Sequence, residues 1–248
     1  MRSASGRRGR ALADPGIHRS ARLSRSAFAI TETELNVIAA LAIIGLSSTP
    51  RKGYSTPAAS GFSLDGKGWI GGDRSRVWLR AEGDSAGGRL EEARAHVLYG
   101  RQFSRWWDIV GGVRQDVRPG SAQTWAAIGI QGLAPYWFEI EATAYVGASG
   151  RTQARFEVEY ELFLTNRLIL QPVVEAEIVG KSDPERGVGA GVSTTDAGFR
   201  LRYAFRPEVA PYVGVAWSNK WGKTAAFAND AGEATGGARL VTGVRLWF

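Results

Sequence analysis

Residues 239 to 248 have the sequence Arg-Leu-Val-Thr-Gly-Val-Arg-Leu-Trp-Phe, in which an uncharged set of alternate positions is interleaved with a set that carries charge. One set of alternate positions ends at the aromatic Phe248 and carries no charge, whereas the other set contains Arg239 and Arg245. Successive side chains of a β-strand point to opposite faces of the sheet, and such alternation over about ten residues is typical of strands in bacterial outer-membrane barrels. The segment therefore predicts a last barrel strand.

The same alternation recurs upstream, so that ten such segments lie between Arg74 and the end of the chain. The clearest segment, residues 154–162, has an uncharged face of Ala, Phe, Val, Tyr and Leu and a charged face of Arg155, Glu157, Glu159 and Glu161. We therefore predict an all-β fold: an antiparallel up-and-down transmembrane β-barrel of about ten strands over residues 62–248, with a disordered N-terminal arm.

The connections between the segments support this prediction because their lengths alternate. Short turns and longer loops fall at opposite ends of the predicted strands, the turns at 103–105, 133–135, 165–167 and 206–209 and the longest loops at 182–192 and 222–236. Outer-membrane barrels have short periplasmic turns and longer external loops. Aromatic residues near strand ends would form the interfacial girdles of such a barrel: Tyr99, Trp107, Trp137, Trp217, Trp221 and Trp247.

A soluble antiparallel barrel is the alternative, because its strands alternate in the same way but bury the apolar face inside. The two folds differ in where the faces point. In a membrane barrel Phe156, Val158, Phe199 and Leu201 face outward, while Glu157 and Arg200 face the centre.

Residues 1–61 differ in composition from the rest of the chain. Nine Lys or Arg and three Asp or Glu lie in residues 1–53, which leaves 22 basic and 21 acidic residues in the remainder. A nucleic-acid partner is therefore not expected for the folded part. The apolar stretch Val37 to Leu46 is too short for a transmembrane helix but fits the core of a secretory signal. A mis-set start and an unrelated N-terminal extension are the alternatives. Pro50 to Gly61 has the composition of a linker.

Catalysis is not expected from this sequence. The chain has no cysteine, and residues 62–248 contain one imidazole, that of His96. No Ser-His-acid set can be assembled around it with any specificity. The glycines of residues 187–191 lack the strand-to-helix context of a phosphate loop and indicate a long flexible loop.

Charged residues on the second face would line the lumen of the predicted barrel. Because a ten-stranded barrel is narrow enough for side chains nearly to fill it, we expect ion-pair networks and no wide water-filled pore. The functional alternative is a cation site in the carboxylate-rich patch of Glu139, Glu141, Glu157, Glu159 and Glu161. His96 is a separate candidate ligand, with a satisfied interior histidine as the alternative.

Several motifs resemble the copper resistance protein B family of bacterial outer membranes. The similarity extends over about residues 62–248 and is carried by segments in the family's order, among them Trp69-Ile70-Gly71-Gly72-Asp73, Gln131-Gly132-Leu133-Ala134-Pro135-Tyr136-Trp137-Phe138, Asp183-Pro184-Glu185-Arg186-Gly187 and Ala210-Pro211-Tyr212-Val213-Gly214-Val215. The resemblance implies a protein of copper resistance in the outer membrane of a Gram-negative bacterium. Its implied partners are copper ions, outer-membrane lipid and periplasmic copper-handling proteins.

This chain differs from longer members of the family in the residues that it offers as copper ligands. Those members carry a Met- and His-rich segment before the barrel, which suits copper ligation by thioether and imidazole groups. Here the only methionine is Met1 and the histidines are His18 and His96, so no copper motif can be transferred. Copper is therefore implied by the resemblance alone, and a small barrel for passive solute passage or envelope stability, without copper binding, is the alternative function.

Overall fold

The computed structural model describes residues 37–49, 59–86, 89–117, 121–206 and 208–247. Their secondary structure is almost entirely antiparallel β, in the order β1 Val37–Thr49, β2 Ala59–Gly71, β3 Ser75–Ala86, β4 Arg89–Ser104, β5 Trp107–Asp116, β6 Gln123–Ala134, β7 Phe138–Gly147, β8 Thr152–Glu159, β9 Leu162–Phe163, β10 Leu168–Val179, β11 Gly191–Tyr203, β12 Val209–Lys220, helix α1 Gly222–Asp230 and β13 Gly236–Trp247.

The sheet closes into a barrel, since each strand pairs with its neighbours in the chain and β13 also pairs with β1. Both β8 and β9 pair with β10, with Tyr160 and Glu161 between them, so the two segments act as one strand and the barrel has twelve. The predicted count of ten was therefore too low. All ten predicted segments are strands, from β3 onward; the two additional strands are β1 and β2.

Both additional strands have sequences that suggested other structures. Strand β1 occupies the apolar stretch that fits a secretory signal, and the predicted boundary at residue 61 falls inside the Gly- and Ser-rich β2. Residues 1–36 and 50–58, which include the predicted arm and most of the predicted linker, lie outside the described residues. Cleavage of a signal stays a prediction, because strand pairing bears only on the folded chain.

The apolar faces of the strands point outward, as predicted for a membrane barrel. Phe156 is 46% exposed and Phe199 is 50% exposed, and Val158 is also exposed. In contrast, Glu157 and Arg200 line an internal cavity. Four of the predicted girdle residues are exposed: Tyr99, Trp137, Trp217 and Trp221. The soluble barrel is thereby excluded, because its apolar residues would lie inside.

The two ends of the barrel differ as the connection lengths predicted. One end, here called the short-turn end, has the connections 72–74, 105–106, 135–137, 164–167 and 204–208. The opposite end, called the loop end, has the long connections 180–190 and 221–235. The second of these contains α1, which the sequence analysis did not predict. Among the described residues, no helix is long and apolar enough to cross a membrane.

One half of the lumen, bounded by β4 to β7, is filled by packed side chains and is called the packed half. Its apolar core consists of Leu98, Val110, Trp125, Ala127 and Tyr145. These residues occupy the inward-facing positions of their strands, so this core lies in the lumen. The described part of the barrel thus has a conventional core on one side of its lumen only.

Leu98→Ala is expected to lower the unfolding free energy by about 2–5 kcal/mol, because Leu98 is fully buried and its truncation leaves a cavity among large neighbours. Urea unfolding of the refolded barrel in lipid vesicles measures the change. Val97→Ala is the matched control, since the neighbouring Val97 faces outward and is 49% exposed. An equal loss of unfolding free energy in the two variants would show that Leu98 does not belong to a packed core.

Candidate functional site

Ion pairs cross the lumen between strands that are far apart around the barrel. Arg155 of β8 places Nη1 2.7 Å from both carboxylate oxygens of Glu82 on β3. Arg94 of β4 places Nη1 2.7 Å from Glu177 Oε1 on β10. Each of these pairs joins strands that are five positions apart in a ring of twelve. The two paired side chains therefore span almost the full width of the lumen.

A third connection runs between β2, β3 and β7. Lys67 and Arg80 both form ion pairs with Glu141, and Lys67 Nζ also lies 3.4 Å from Glu139 Oε1. We call seven of the described residues in these connections the cross-lumen wall: Lys67, Arg80, Glu82, Arg94, Glu141, Arg155 and Glu177. The wall separates the packed half from the rest of the lumen.

The strand register explains why the wall forms. Glu141, Glu157, Glu175 and Asp196 lie directly opposite one another on β7, β8, β10 and β11, and we call them the carboxylate band. Like charges directly opposite across strands are destabilising. Arg155 relieves this repulsion, since its Nε lies 2.6 Å from Glu175 Oε1 and its Nη2 lies 3.6 Å from Glu157 Oε2. Cations are therefore needed where the band faces the lumen.

His96 lies in the packed half. It is 2% exposed, and its Nε2 is 3.5 Å from the Tyr145 hydroxyl. Beside it Arg114 pairs with Asp116 at 2.9 Å and stacks over the Tyr145 ring at 4.1 Å. Asp116 also accepts a hydrogen bond of 2.9 Å from Trp125 Nε1. The histidine is thus enclosed by aromatic and paired polar groups.

The candidate carboxylates are engaged with other side chains of the lumen. Glu159 accepts a hydrogen bond from Gln171. Glu161 accepts hydrogen bonds from Arg202 at 2.8 Å and from Arg245 at 3.0 Å. Within the described ranges, no group of three or more His, Cys, Asp or Glu is arranged to hold a metal ion. The geometry therefore does not assemble the six sequence candidates into one resident metal centre.

Beyond the wall lies a cavity of about 1910 Å³, wider than the nearly filled lumen that the sequence predicted. The reason is the strand count, because barrel diameter grows with the number of strands. Among the described residues, its lining includes none from β5 or β6. Of the described side chains, fourteen acidic and nine basic ones line it, so the formal charge of the lining is negative.

Helix α1 packs against the loop end of this cavity. Thr224 Oγ1 accepts a hydrogen bond of 2.8 Å from the Gly189 backbone N–H and lies 2.9 Å from Ser193 Oγ. A Cβ atom on Gly189 would come within 2.4 Å of Lys223 Cβ, so glycine is required for this close approach. The glycines that predicted a flexible loop therefore include one that packs closely against a helix.

Lumen residues on β2 were missed by the sequence analysis, which assigned no strand to this segment. Lys67 belongs to the wall, and Asp65 lines the cavity. A signal was present, since Phe62 and Leu64 alternate with Ser63 and Asp65, but intervening glycines shorten the apolar pattern.

Solved structures with a similar fold are outer-membrane proteins. The NanC porin matches with a TM-score of 0.56 and 11% identity, over 84% of this chain and 98% of the porin. The outer-membrane phospholipase A of Escherichia coli matches with a TM-score of 0.50 and 12% identity, over 86% of this chain and 94% of the phospholipase. At such low identity these matches establish the β-barrel fold alone.

Sequence comparison extends from the fold to the family. "Copper resistance protein B homolog" of Pseudomonas syringae pv. tomato is 51% identical over 189 residues, which are 76% of this chain and 64% of the relative. "Copper resistance protein B" of Escherichia coli is 48% identical over 187 residues, which are 75% of this chain and 63% of the relative. The match thus covers less than two thirds of either relative. The family model described as copper resistance protein B precursor matches residues 54–248, and the chain therefore belongs to the copper resistance protein B family.

Proposed function

We propose that this chain acts in copper resistance from the outer membrane of a Gram-negative bacterium, and that copper ions are cargo of its lumen. The observation that carries the proposal is the acidic excess of the cavity lining, fourteen acidic against nine basic side chains. A cavity with one prevailing sign of charge and low-dielectric walls raises the local concentration of counter-ions. Membership of the copper resistance protein B family favours copper as that cation.

The side chains of the lumen suit a passing ion better than a resident one. Carboxylates can bind copper(II), but copper(I) prefers thioether and thiolate ligands. The sequence contains no cysteine and a single methionine, Met1. Glu141 is already paired with Lys67 and Arg80, so it would have to exchange partners to bind a metal. The described lumen therefore does not fit a tightly held copper ion, and transport or transient binding is the better proposal.

The orientation follows from the connection lengths. Short turns face the periplasm in barrels of this class, which would place the short-turn end toward periplasmic copper-handling partners and α1 outside. Family and fold favour a non-enzymatic role. His96 is enclosed in the packed half, away from solvent, so it is poorly placed as a general base.

Deletion of the gene is expected to lower the copper concentration that cells tolerate, and plasmid-borne wild type should restore growth. Growth curves across copper concentrations, together with membrane fractionation, test this. A matched series with zinc and cobalt controls for general envelope damage. Unchanged copper tolerance in a strain shown to express the protein would refute a role in copper resistance.

Direct contact with copper is tested by titration of the refolded full chain with Cu(I) and Cu(II). We expect weak binding of Cu(II), reduced when the cavity acids are neutralised, and no specific binding of Cu(I). Tight binding that resists competing Mg²⁺ would contradict the cargo proposal, because it would require a resident centre.

Passive passage of other small solutes is the second candidate, and the cavity volume of about 1910 Å³ favours it. This function predicts conductance for many cations without a copper phenotype. The deletion strain separates the two candidates, because only the copper role predicts copper sensitivity.

A further inference from the structure

Arg101 is a charged residue on the outward register of the barrel. It lies on β4 directly opposite Ile109 of β5, which is 45% exposed on the outer surface, and Ile109 in turn lies opposite the exposed Ile130. Among the described side chains of β2 to β13, every other charged strand residue lies on the inward register. Arg101 therefore breaks an otherwise uncharged outer face.

The surroundings of Arg101 are apolar and aromatic. Tyr99 and Phe103, two residues before and after it on the same face, are both exposed. The Arg101 guanidinium has no hydrogen-bond or ion-pair partner in the described part of the chain. A strand rises about 3.3 Å per residue, so Arg101 lies close to the turn 105–106, at the level of an interfacial girdle rather than mid-membrane.

Aromatic side chains also project at the short-turn end of the barrel, in the turns that follow β4 and β6. Trp106 and Trp137 pack edge to face with their ring centroids 5.9 Å apart. Tyr136 is 83% exposed and has a φ of 67°, and Trp137 has a φ of 68°. Bulky residues rarely adopt a left-handed φ. Backbone strain of this kind is concentrated at binding and active sites, so it supports a functional role for this turn. The turn thus holds two aromatic rings out from the barrel.

Exposed arginines accompany these rings. Arg105, Arg167 and Arg206 lie in three of the five short turns, and within the described ranges their guanidinium groups have no hydrogen-bond or ion-pair partner. Arginine binds phosphate oxygens through two parallel N–H donors. Basic residues close to an anionic lipid surface are attracted to it. The combination of arginine, aromatic rings and a surrounding apolar face matches the headgroup region of a phospholipid.

We propose that Arg101, together with Arg105 and the Trp106–Trp137 pair, binds the phosphate of an anionic phospholipid in the leaflet at the short-turn end. The acyl chains would lie along the outward face beside Ile109. An acidic protein would satisfy the arginines in the turns, but it would not require an arginine on the lipid-facing register. The lipid is therefore the occupant that the position of Arg101 favours. This site is separate from the lumen and does not depend on copper.

The test uses the purified full chain, loaded from an equimolar mixture of phosphatidylglycerol and phosphatidylcholine and examined by native mass spectrometry. Wild type should retain phosphatidylglycerol several-fold more than phosphatidylcholine. Arg101→Gln should remove most of this preference, and Arg101→Lys should restore only part of it, because lysine lacks the bidentate fork. Lys223→Gln is the matched control, since Lys223 is exposed at the loop end.

Three results would overturn the proposal. Equal retention of both lipids by wild type would do so and would leave an acidic protein as the partner of the arginines. An equal loss in the Lys223→Gln control would show a general charge effect. Displacement of the lipid by inorganic phosphate would show that the site takes phosphate without acyl chains. Heat-modifiable migration on gels verifies that each variant is folded, so that loss of binding is not confused with loss of the barrel.

Discussion

Arg155→Met is expected to lower the unfolding free energy of the barrel by about 2–4 kcal/mol. The substitution leaves Glu82 and Glu175, both bound to Arg155, without their shared cation inside the lumen. Removing one partner of a fully buried ion pair lowers the unfolding free energy by more than this. Here the side chains of Glu82 and Glu175 are about a quarter exposed, so solvent screens the unpaired charges and reduces the loss of stability. Urea unfolding in vesicles measures the change.

Two further variants separate the wall from a general effect of lost charge. Arg155→Met combined with Glu82→Gln should recover part of the loss, because one unpaired carboxylate is then neutral. Arg206→Met is the matched control, since Arg206 is exposed in a short turn. A loss in Arg155→Met no larger than in this control would show that the cross-lumen wall contributes nothing to stability.

Neutralising Asp65, Asp84 and Asp196 together is expected to reduce the cation preference of the lumen by roughly tenfold. All three line the cavity, and the triple variant leaves eleven acidic side chains there against nine basic ones. None belongs to the cross-lumen wall, and among the described side chains Asp196 pairs with Arg239, at 4.0 Å. The barrel should therefore fold normally. Reversal potentials under a salt gradient in planar bilayers measure the preference.

The control for this triple variant is Asp73→Asn combined with Glu208→Gln, because both residues are exposed in short turns outside the cavity lining. This control should keep the wild-type reversal potential. If the cavity variant also keeps it, the acidic lining does not select ions, and the observation that carries the proposed function is lost. Copper tolerance of cells expressing each variant then shows whether selectivity and resistance are linked.

The outward faces of the strands could be predicted from sequence because alternation is a local property. Phe156 and Glu157 are adjacent in the chain, and the pleat alone sends them to opposite sides. Strand β2 could not be recognised in the same way, because glycines at 66 and 68 leave only Phe62 and Leu64 as apolar residues on its outward face before Ile70. The missing strands in turn made the predicted barrel too narrow, which is why the open cavity was not expected.

The lumen contacts lay beyond sequence reasoning for a different reason. Glu82 and Arg155 could be placed on inward faces, but which acid meets which base depends on the stagger of twelve strands around a closed ring. For the same reason the sequence could not show which of the candidate ligands lie close together. His96 and Glu141 share the lumen, yet one is enclosed in the packed half and the other belongs to the wall.

The ion pairs across the lumen also bear on how the barrel is assembled. Glu82 and Arg155 are separated by 73 residues along the chain, and Arg94 and Glu177 by 83. Contacts between such distant residues form late, because the intervening chain must first be ordered. Until β8 and β10 are in place, the acidic and basic side chains of β3 and β4 remain solvated and uncompensated. Insertion into the membrane should therefore be highly cooperative, because the first hairpins are stabilised only when the later strands are in place.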